Sequence, residues 1–246
     1  MGPNERPKVG ITGASRGIGR GCAHAFGALG AEVVLVARHL NELLQVADEI
    51  SGEGGRAYPM VCDVTNAEQV LNVFTSLERC DVLINNAGMN RPQPFLEVDP
   101  ATLDDMLALN VRSMFLTAQA AARLIVRQHS GVIINKSSQM GHVGAANRSV
   151  YCTTKHAIEG LTKALAVELA PLGIRVNAIA PTYIETPLTQ PFLEDEAFRV
   201  DVLRRIPLGR IGTVEEVVAA IVFLASPAAG LITGASLLVD GGYTAQ

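Results

Sequence analysis

The chain has no tryptophan, and aromatic residues make up only 4% of its 246 positions. The 48% hydrophobic content is therefore mostly aliphatic, and with 18% charged residues it suits a soluble globular protein with a substantial core. An excess of basic charge is also missing. Twenty Lys and Arg against 24 Asp and Glu leave a formal charge of −4, which gives no electrostatic footprint for nucleic acid. Long apolar runs are absent. The longest, near Ala219–Ala225, is too short to span a bilayer and soon meets Pro227. Met1–Lys8 is polar and contains proline, unlike the apolar heart of a signal peptide. Cysteine is scarce: Cys22, Cys62, Cys80 and Cys152 form no C-x-x-C and read as free thiols of a reducing compartment. The five histidines, His24, His39, His129, His142 and His156, are scattered, so no metal site is expected. There is no repeat and no low-complexity segment. The chain reads as a cytoplasmic protein, with no membrane or nucleic-acid partner expected.

What is present is an alternation. Short β-rich apolar runs at Val9–Ile11, Val33–Val36, Ala57–Cys62, Val82–Ile84, Val132–Asn135, Arg175–Ile179 and Leu237–Val239 read as buried strands. Amphipathic stretches lie between them at Ile18–Leu29, Leu40–Ile50, Ala67–Leu77, Leu103–Arg127, Val150–Leu169 and Val214–Leu224. Buried strands alternating with helices predict an α/β fold: one doubly wound Rossmann domain over residues 1–246, with a seven-stranded, mainly parallel sheet and helices on both faces. Glycine, at 23 residues, fits close packing of helices on a sheet. Two segments break the rhythm. Met89–Thr102 reads as a loop. Pro181–Gly212 is a longer excursion with a helical piece around Glu194–Arg204, and it reads as a substrate-binding lid over the carboxyl ends of the strands.

Gly13-x-x-x-Gly17-x-Gly19 follows the first strand and opens the first helix. Gly13 permits a sharp turn, Gly17 lets backbone approach a diphosphate at the helix terminus, and Gly19 allows close helix–strand packing. The spacing differs from the general G-x-G-x-x-G fingerprint. The second strand ends Val36-Ala37-Arg38, so the acidic residue that holds a free ribose 2′-hydroxyl is missing. Arg38 and Arg16 can instead clamp a 2′-phosphate, which favours NADP(H) without excluding NAD(H). Asp63 ends the third strand and fits either an acceptor for the adenine amino group or a cap for the helix after Thr65.

Tyr151 and Lys155 are four apart on a predicted helix and share a face. A free phenol is only about one-thousandth ionised at pH 7. A neighbouring ammonium and a cationic nicotinamide are expected to favour the phenolate. Tyr151 then passes a proton to or from a substrate oxygen, to which Ser138 can hydrogen-bond. Asn110 lies inside a predicted long helix where Asn is a poor fit, which suggests a polar task such as holding a water that relays protons to Lys155. Local backbone bonding is the alternative.

These marks, with Asn85-Asn86-Ala87-Gly88 and Val239-Asp240-Gly241-Gly242, make the chain resemble the short-chain dehydrogenase/reductase family from Lys8 to Gly242. The resemblance implies a catalytic tetrad of Asn110, Ser138, Tyr151 and Lys155. It implies nucleotide contacts from Gly13, Ser15, Arg16, Gly17, Ile18 and Gly19 in the turn, and from Arg38, Asp63 and Val64 beyond the next two strands. Further contacts are implied for Asn86, Ala87, Gly88, Tyr151, Lys155 and Pro181, with Ile184 and Thr186 at the nicotinamide carboxamide. It also implies a homotetramer built partly from the helices carrying Asn110 and Tyr151. One departure stands out: Pro181 is followed by Thr182 where family members often carry Gly. Thr resists positive φ, so the local backbone is expected to differ or to be strained. Two subgroups are similar, the gluconate 5-dehydrogenase-like enzymes and the 3-oxoacyl-carrier-protein reductases. Met89-Asn90-Arg91 with Pro94-Phe95, and Leu193–Phe198 in the lid, resemble the first. Arg91, His142 and Arg148, expected near the pocket mouth, suit a carboxylate or several hydroxyls, or else are surface charges. The expected activity is NADP(H)-dependent hydride transfer to or from a carbonyl or secondary alcohol such as a sugar acid or polyol. Reduction of a 3-oxoacyl-carrier-protein is the alternative, and a non-enzymatic NADP(H) sensor a distant one.

Overall fold

The computed structural model describes residues 6–246; the first five residues of the polar start lie outside it. The elements run β1 (Lys8–Thr12), α1 (Gly17–Ala28), β2 (Glu32–Ala37), α2 (Leu40–Gly52), β3 (Arg56–Val61), α3 (Ala67–Thr75) and β4 (Val82–Asn85). Then follow α4 (Pro100–Leu107), α5 (Ser113–Ile125), β5 (Gly131–Lys136), α6 (Ser149–Leu169) and β6 (Ile174–Pro181). The chain ends with α7 (Gln190–Leu193), α8 (Glu196–Arg205), α9 (Val214–Ala225) and β7 (Ser236–Val239). The strands lie in the order β3-β2-β1-β4-β5-β6-β7, and every pairing is parallel. The sheet is parallel throughout, where the sequence suggested mainly so.

The continuous apolar runs follow from this sheet being covered on both faces. In β2, Val33 and Leu35 pack into one core with α1, α2 and α9, while Val34 and Val36 pack into the other with α3, α5 and α6. In β4, Val82 and Ile84 face the first core and Leu83 the second. Connections run one way from β1 to β3 and the other way from β4 to β7, so a crevice opens beyond the carboxyl ends of β1 and β4.

The amphipathic stretch read as one helix over Leu103–Arg127 is divided. Between α4 and α5 lies a π-helical turn, Ala108–Arg112, with Asn110 inside it. Hydrophobic periodicity does not reveal one inserted residue, and such turns recur at functional sites. The loop Met89–Thr102 is shorter than expected, because Asp99 caps α4 through the Thr102 amide at 2.8 Å and Pro100 starts the helix. The excursion 181–212 holds α7 and α8. It packs on itself around Val202, Ile206 and Ile211, with Tyr183 edge-on to Phe198 at 5.7 Å.

Candidate active site

A cavity of about 670 Å³ lies over the carboxyl ends of the strands and is closed on one side by the start of the excursion. Its floor is the glycine turn. Gly13 has φ +64°, and a Cβ there would meet Asn86 Nδ2 at 3.0 Å and Ala87 Cα at 3.1 Å. Gly17 also has positive φ, +54°. A Cβ on Gly19 would lie 2.1 Å from the Gly13 carbonyl oxygen, so the helix seats against the turn only because that side chain is absent. Thr12 locks the next strand to the turn: its Oγ1 accepts from the Asn86 and Ala87 amides at 2.9 and 3.0 Å. Asn86 Nδ2 donates to Thr12 and Gly13 carbonyls.

These residues fit a dinucleotide. The residue before α1, Arg16, supplies no side-chain cap, and the first turn holds no acidic residue. The amides that open α1 therefore lack a local carboxylate and present the positive end of the helix dipole to an anion. Asn86 Oδ1 and Thr182 Oγ1 are buried in the cavity wall with no hydrogen-bond partner among the described residues. Ser15, Arg16, Gly17 and Ile18 line the cavity where α1 begins, and Arg38, Asp63 and Val64 line it beyond β2 and β3. Asn86, Ala87, Gly88, Pro181, Ile184 and Thr186 line the far end with Ser138 and Tyr151. Gly19 is behind this surface. Arg16 and Arg38 are exposed. Asp63 lines the cavity but caps no helix. Its carboxylate accepts from the Thr65 amide at 2.9 Å and hydroxyl at 2.7 Å, which holds its pKa below the usual range, while Asn66 caps α3. Thr182 avoids positive φ, so its side chain is accommodated without the anticipated strain, with its amide bonded to the Val239 carbonyl at 3.1 Å.

Beneath the far end, Lys155 is 1% exposed. Its Nζ donates to the Lys136 carbonyl at 2.8 Å and stands 5.4 Å from the centre of the Tyr151 ring. Asn110, fully buried, spends its amide on structure. Oδ1 accepts from the Met89 amide at 2.8 Å, and Nδ2 donates to the Met89 carbonyl at 2.8 Å and to Thr154 Oγ1 at 3.2 Å. It thus ties the loop after β4 to the helix bearing Tyr151. Thr154 and Lys136 were not singled out from sequence; the one available signal was that each sits within or beside a motif, and Thr12, which opens the glycine-rich run, was given no role of its own.

The protonation states differ from the expected pair. Burial pushes the Tyr151 phenol up to about 12, only partly offset by a hydrogen bond from Ser138. Burial, and then the charge of Lys136, push Lys155 down to about 7, with Glu159 opposing. Removal from water outweighs mutual stabilisation, so the phenol is neutral across the neutral range and the amine gives up its proton far more readily than a free lysine. A neutral phenol beside Ser138 is a proton donor to an oxygen placed between them.

Of the three residues expected at the pocket mouth, Arg91 lines the cavity and pairs with Asp105 at 2.7 Å. His142 is not in the lining; its Nε2 is taken up by Ser236 Oγ at 3.0 Å and Glu159 Oε1 at 3.3 Å. Arg148 is buried just before α6, under Phe192 of the excursion, with its Cζ 5.6 Å from the ring centre.

A family model described as enoyl-(acyl carrier protein) reductase matches residues 13–244. The chain is 41% identical over 239 residues to L-xylulose reductase of Homo sapiens, covering 97% of this chain and 96% of that one. It is 38% identical over 238 residues to gluconate 5-dehydrogenase of Gluconobacter oxydans, covering 95% and 93%. Among solved structures, gluconate 5-dehydrogenase from Burkholderia cenocepacia in complex with NADP and tartrate superposes with a TM-score of 0.95 at 34% identity, over 98% of this chain and 96% of that one.

Proposed function

The chain belongs to the short-chain dehydrogenase/reductase family, oxidoreductases that act on CH–OH groups, and from that premise we propose that it transfers hydride between NADP(H) and a small polyhydroxy substrate, a sugar acid or polyol. One observation carries the reading: the uncapped start of α1 and the Ser138–Tyr151 pair open onto the same cavity. The nicotinamide, when bound, supplies or accepts the hydride. The α1 amides hold the diphosphate, Arg16 and Arg38 hold a 2′-phosphate, and Asn86 to Gly88 line the remainder. The NADP named for the Burkholderia relative supports the phosphorylated cofactor.

Ser138 fixes the substrate oxygen by hydrogen bond. Tyr151, neutral and acidic toward that oxygen, donates its proton as the carbonyl becomes an alcohol, and takes one back in reverse. Lys155 stabilises the phenolate that results and holds the ribose hydroxyls, while Asn110 positions α6 against the loop after β4. The whole chain acts as one catalytic domain with 181–212 as its substrate cover. We place the enzyme in the cytoplasm as a homotetramer; exposed Phe115 on α5 and Val167 on α6 give those helices apolar outer faces. Among the described residues no helix is long and apolar enough to cross a membrane.

The cofactor assignment is tested with Arg38→Ala. A lost charge-assisted bond is worth about 1.5–3 kcal/mol, so the ratio of kcat/KM for NADPH over NADH should fall about tenfold to a hundredfold. A wild-type preference for NADH, or an unchanged ratio in the variant, contradicts it.

A further inference from the structure

We infer that Arg148 binds the carboxylate of the substrate, so that the enzyme is built for a sugar acid and not for a neutral polyol. This rests on the hydride-transfer reading and narrows its substrate class. Arg148 stands at the N-cap of α6, three residues before Tyr151, and is 8% exposed. A guanidinium stays charged at any pH the fold experiences. Several of the protein's other arginine heads meet carboxylates at the surface: Arg20 with Glu49, Arg56 with Glu32, Arg91 with Asp105, Arg210 with Glu216. Arg175, half-buried, donates to the carbonyls of Ile232 and Ser226. Arg148 has neither arrangement. Its Nη1 reaches only the Asn147 carbonyl, at 3.4 Å, and its Nε is buried with no partner among the described residues.

The energetics are lopsided. Burying an unpaired ion is costly, and the Phe192 ring offsets only part of that cost. Arg148 lies outside the lining of the cavity, one helical turn before Tyr151, which is part of that lining. A ligand carboxylate is the group that offsets it, through a two-pronged pair. The surroundings point to the rest of that ligand. Gln93, whose amide holds the Asn147 carbonyl at 3.0 Å, leaves its side-chain oxygen buried and unpaired, as do Asn90 Oδ1 and Ser149 Oγ. These oxygens can accept hydroxyl protons, and the Gln93–Asn147 bond brings the loop after β4 against the residue that precedes Arg148. Phe192, the ring over Arg148, belongs to α7, so the cover over the substrate also screens the ion pair from water.

The test uses matched six-carbon probes, gluconate against sorbitol and 5-ketogluconate against fructose, with wild type, Arg148→Gln and Arg148→Lys. Calorimetry on the NADP-bound enzyme reads binding, and nicotinamide absorbance reads turnover. Wild type should bind gluconate at least tenfold more tightly than sorbitol. Arg148→Gln should lose about tenfold to a hundredfold for the acids alone, mainly in KM, with Arg148→Lys between. NADPH affinity should stay within about threefold, and the melting temperature of the ligand-free Gln variant should not fall, because no structural ion pair is removed. Equal binding of acid and neutral probes by wild type, absence of acid binding, or an equal loss of both classes in Arg148→Gln overturns the inference. Turnover of neutral probes alone sinks it while leaving the hydride-transfer reading standing. Arg148-dependent binding of acids with no turnover of any probe keeps the anion site and sinks that reading instead.

Discussion

Tyr151→Phe should lower kcat for carbonyl reduction about a thousandfold while changing NADPH affinity less than about threefold. General acid catalysis by one positioned group contributes roughly a hundredfold to ten-thousandfold. In the proposed mechanism that group is the Tyr151 phenol, which shares a hydrogen bond with Ser138, both residues lining the cavity. Removing one atom leaves the glycine turn, the α1 amides and the ring packing in place, so binding survives. The direction of pH dependence follows from the phenol being held up at about 12 by burial. The neutral donor form is available throughout the neutral range, so reduction should be nearly flat there. Alcohol oxidation needs the proton removed and should accelerate as pH rises. Steady-state rates in both directions, with cofactor binding measured separately, check both points.

Lys155→Met should cost about as much turnover yet stabilise the cofactor-free protein near neutral pH. Lys155 is held down at about 7 inside the fold, against about 10.4 for a free lysine. Between those values the unfolded chain binds more protons than the folded one, so the wild-type stability contribution from this residue rises with pH across that window. The variant has no such term. Its advantage in melting temperature should therefore be largest near and below pH 7 and shrink toward pH 10. A constant difference across that range would mean that Lys155 is charged in the fold and compensated by something other than Glu159. The residue is costly to bury and is held by a single carbonyl, that of Lys136. That combination is expected where a charge serves binding and catalysis more than folding.

How far the sequence could be read depends on the kind of information each feature carries. The seven strands and the glycine turn were legible because they are local. Two-sided burial makes an unbroken apolar run, as in Val33–Val36, and positive φ at Gly13 and Gly17 demands glycine at fixed spacing. Tyr151 and Lys155 were legible because helical spacing puts them on one face. The π turn at Asn110 was not, because one inserted residue barely disturbs hydrophobic periodicity over two helices. The role of Asp63 was open because an acid at a strand end serves several ends; the capping fell to Asn66, three residues on. The size of the burial effects on Tyr151 and Lys155 was not legible, because spacing shows that an amine is near a phenol but not that both are out of water. The isolation of Arg148 is the least legible feature of all. It consists of the lack of a carboxylate partner among the described residues, a fact of tertiary arrangement that no motif encodes.

The central claim is that a hydride passes between the nicotinamide and the carbinol carbon while Tyr151 handles the proton on the attached oxygen. It is tested most directly with NADPH deuterated at the transferring position and 5-ketogluconate as acceptor. The product alcohol should carry one deuterium at the reduced carbon in wild type, and Tyr151→Phe should bind the same cofactor while forming almost none of it. Product lacking the label, or labelled product formed by the Phe variant at the wild-type rate, would contradict the account.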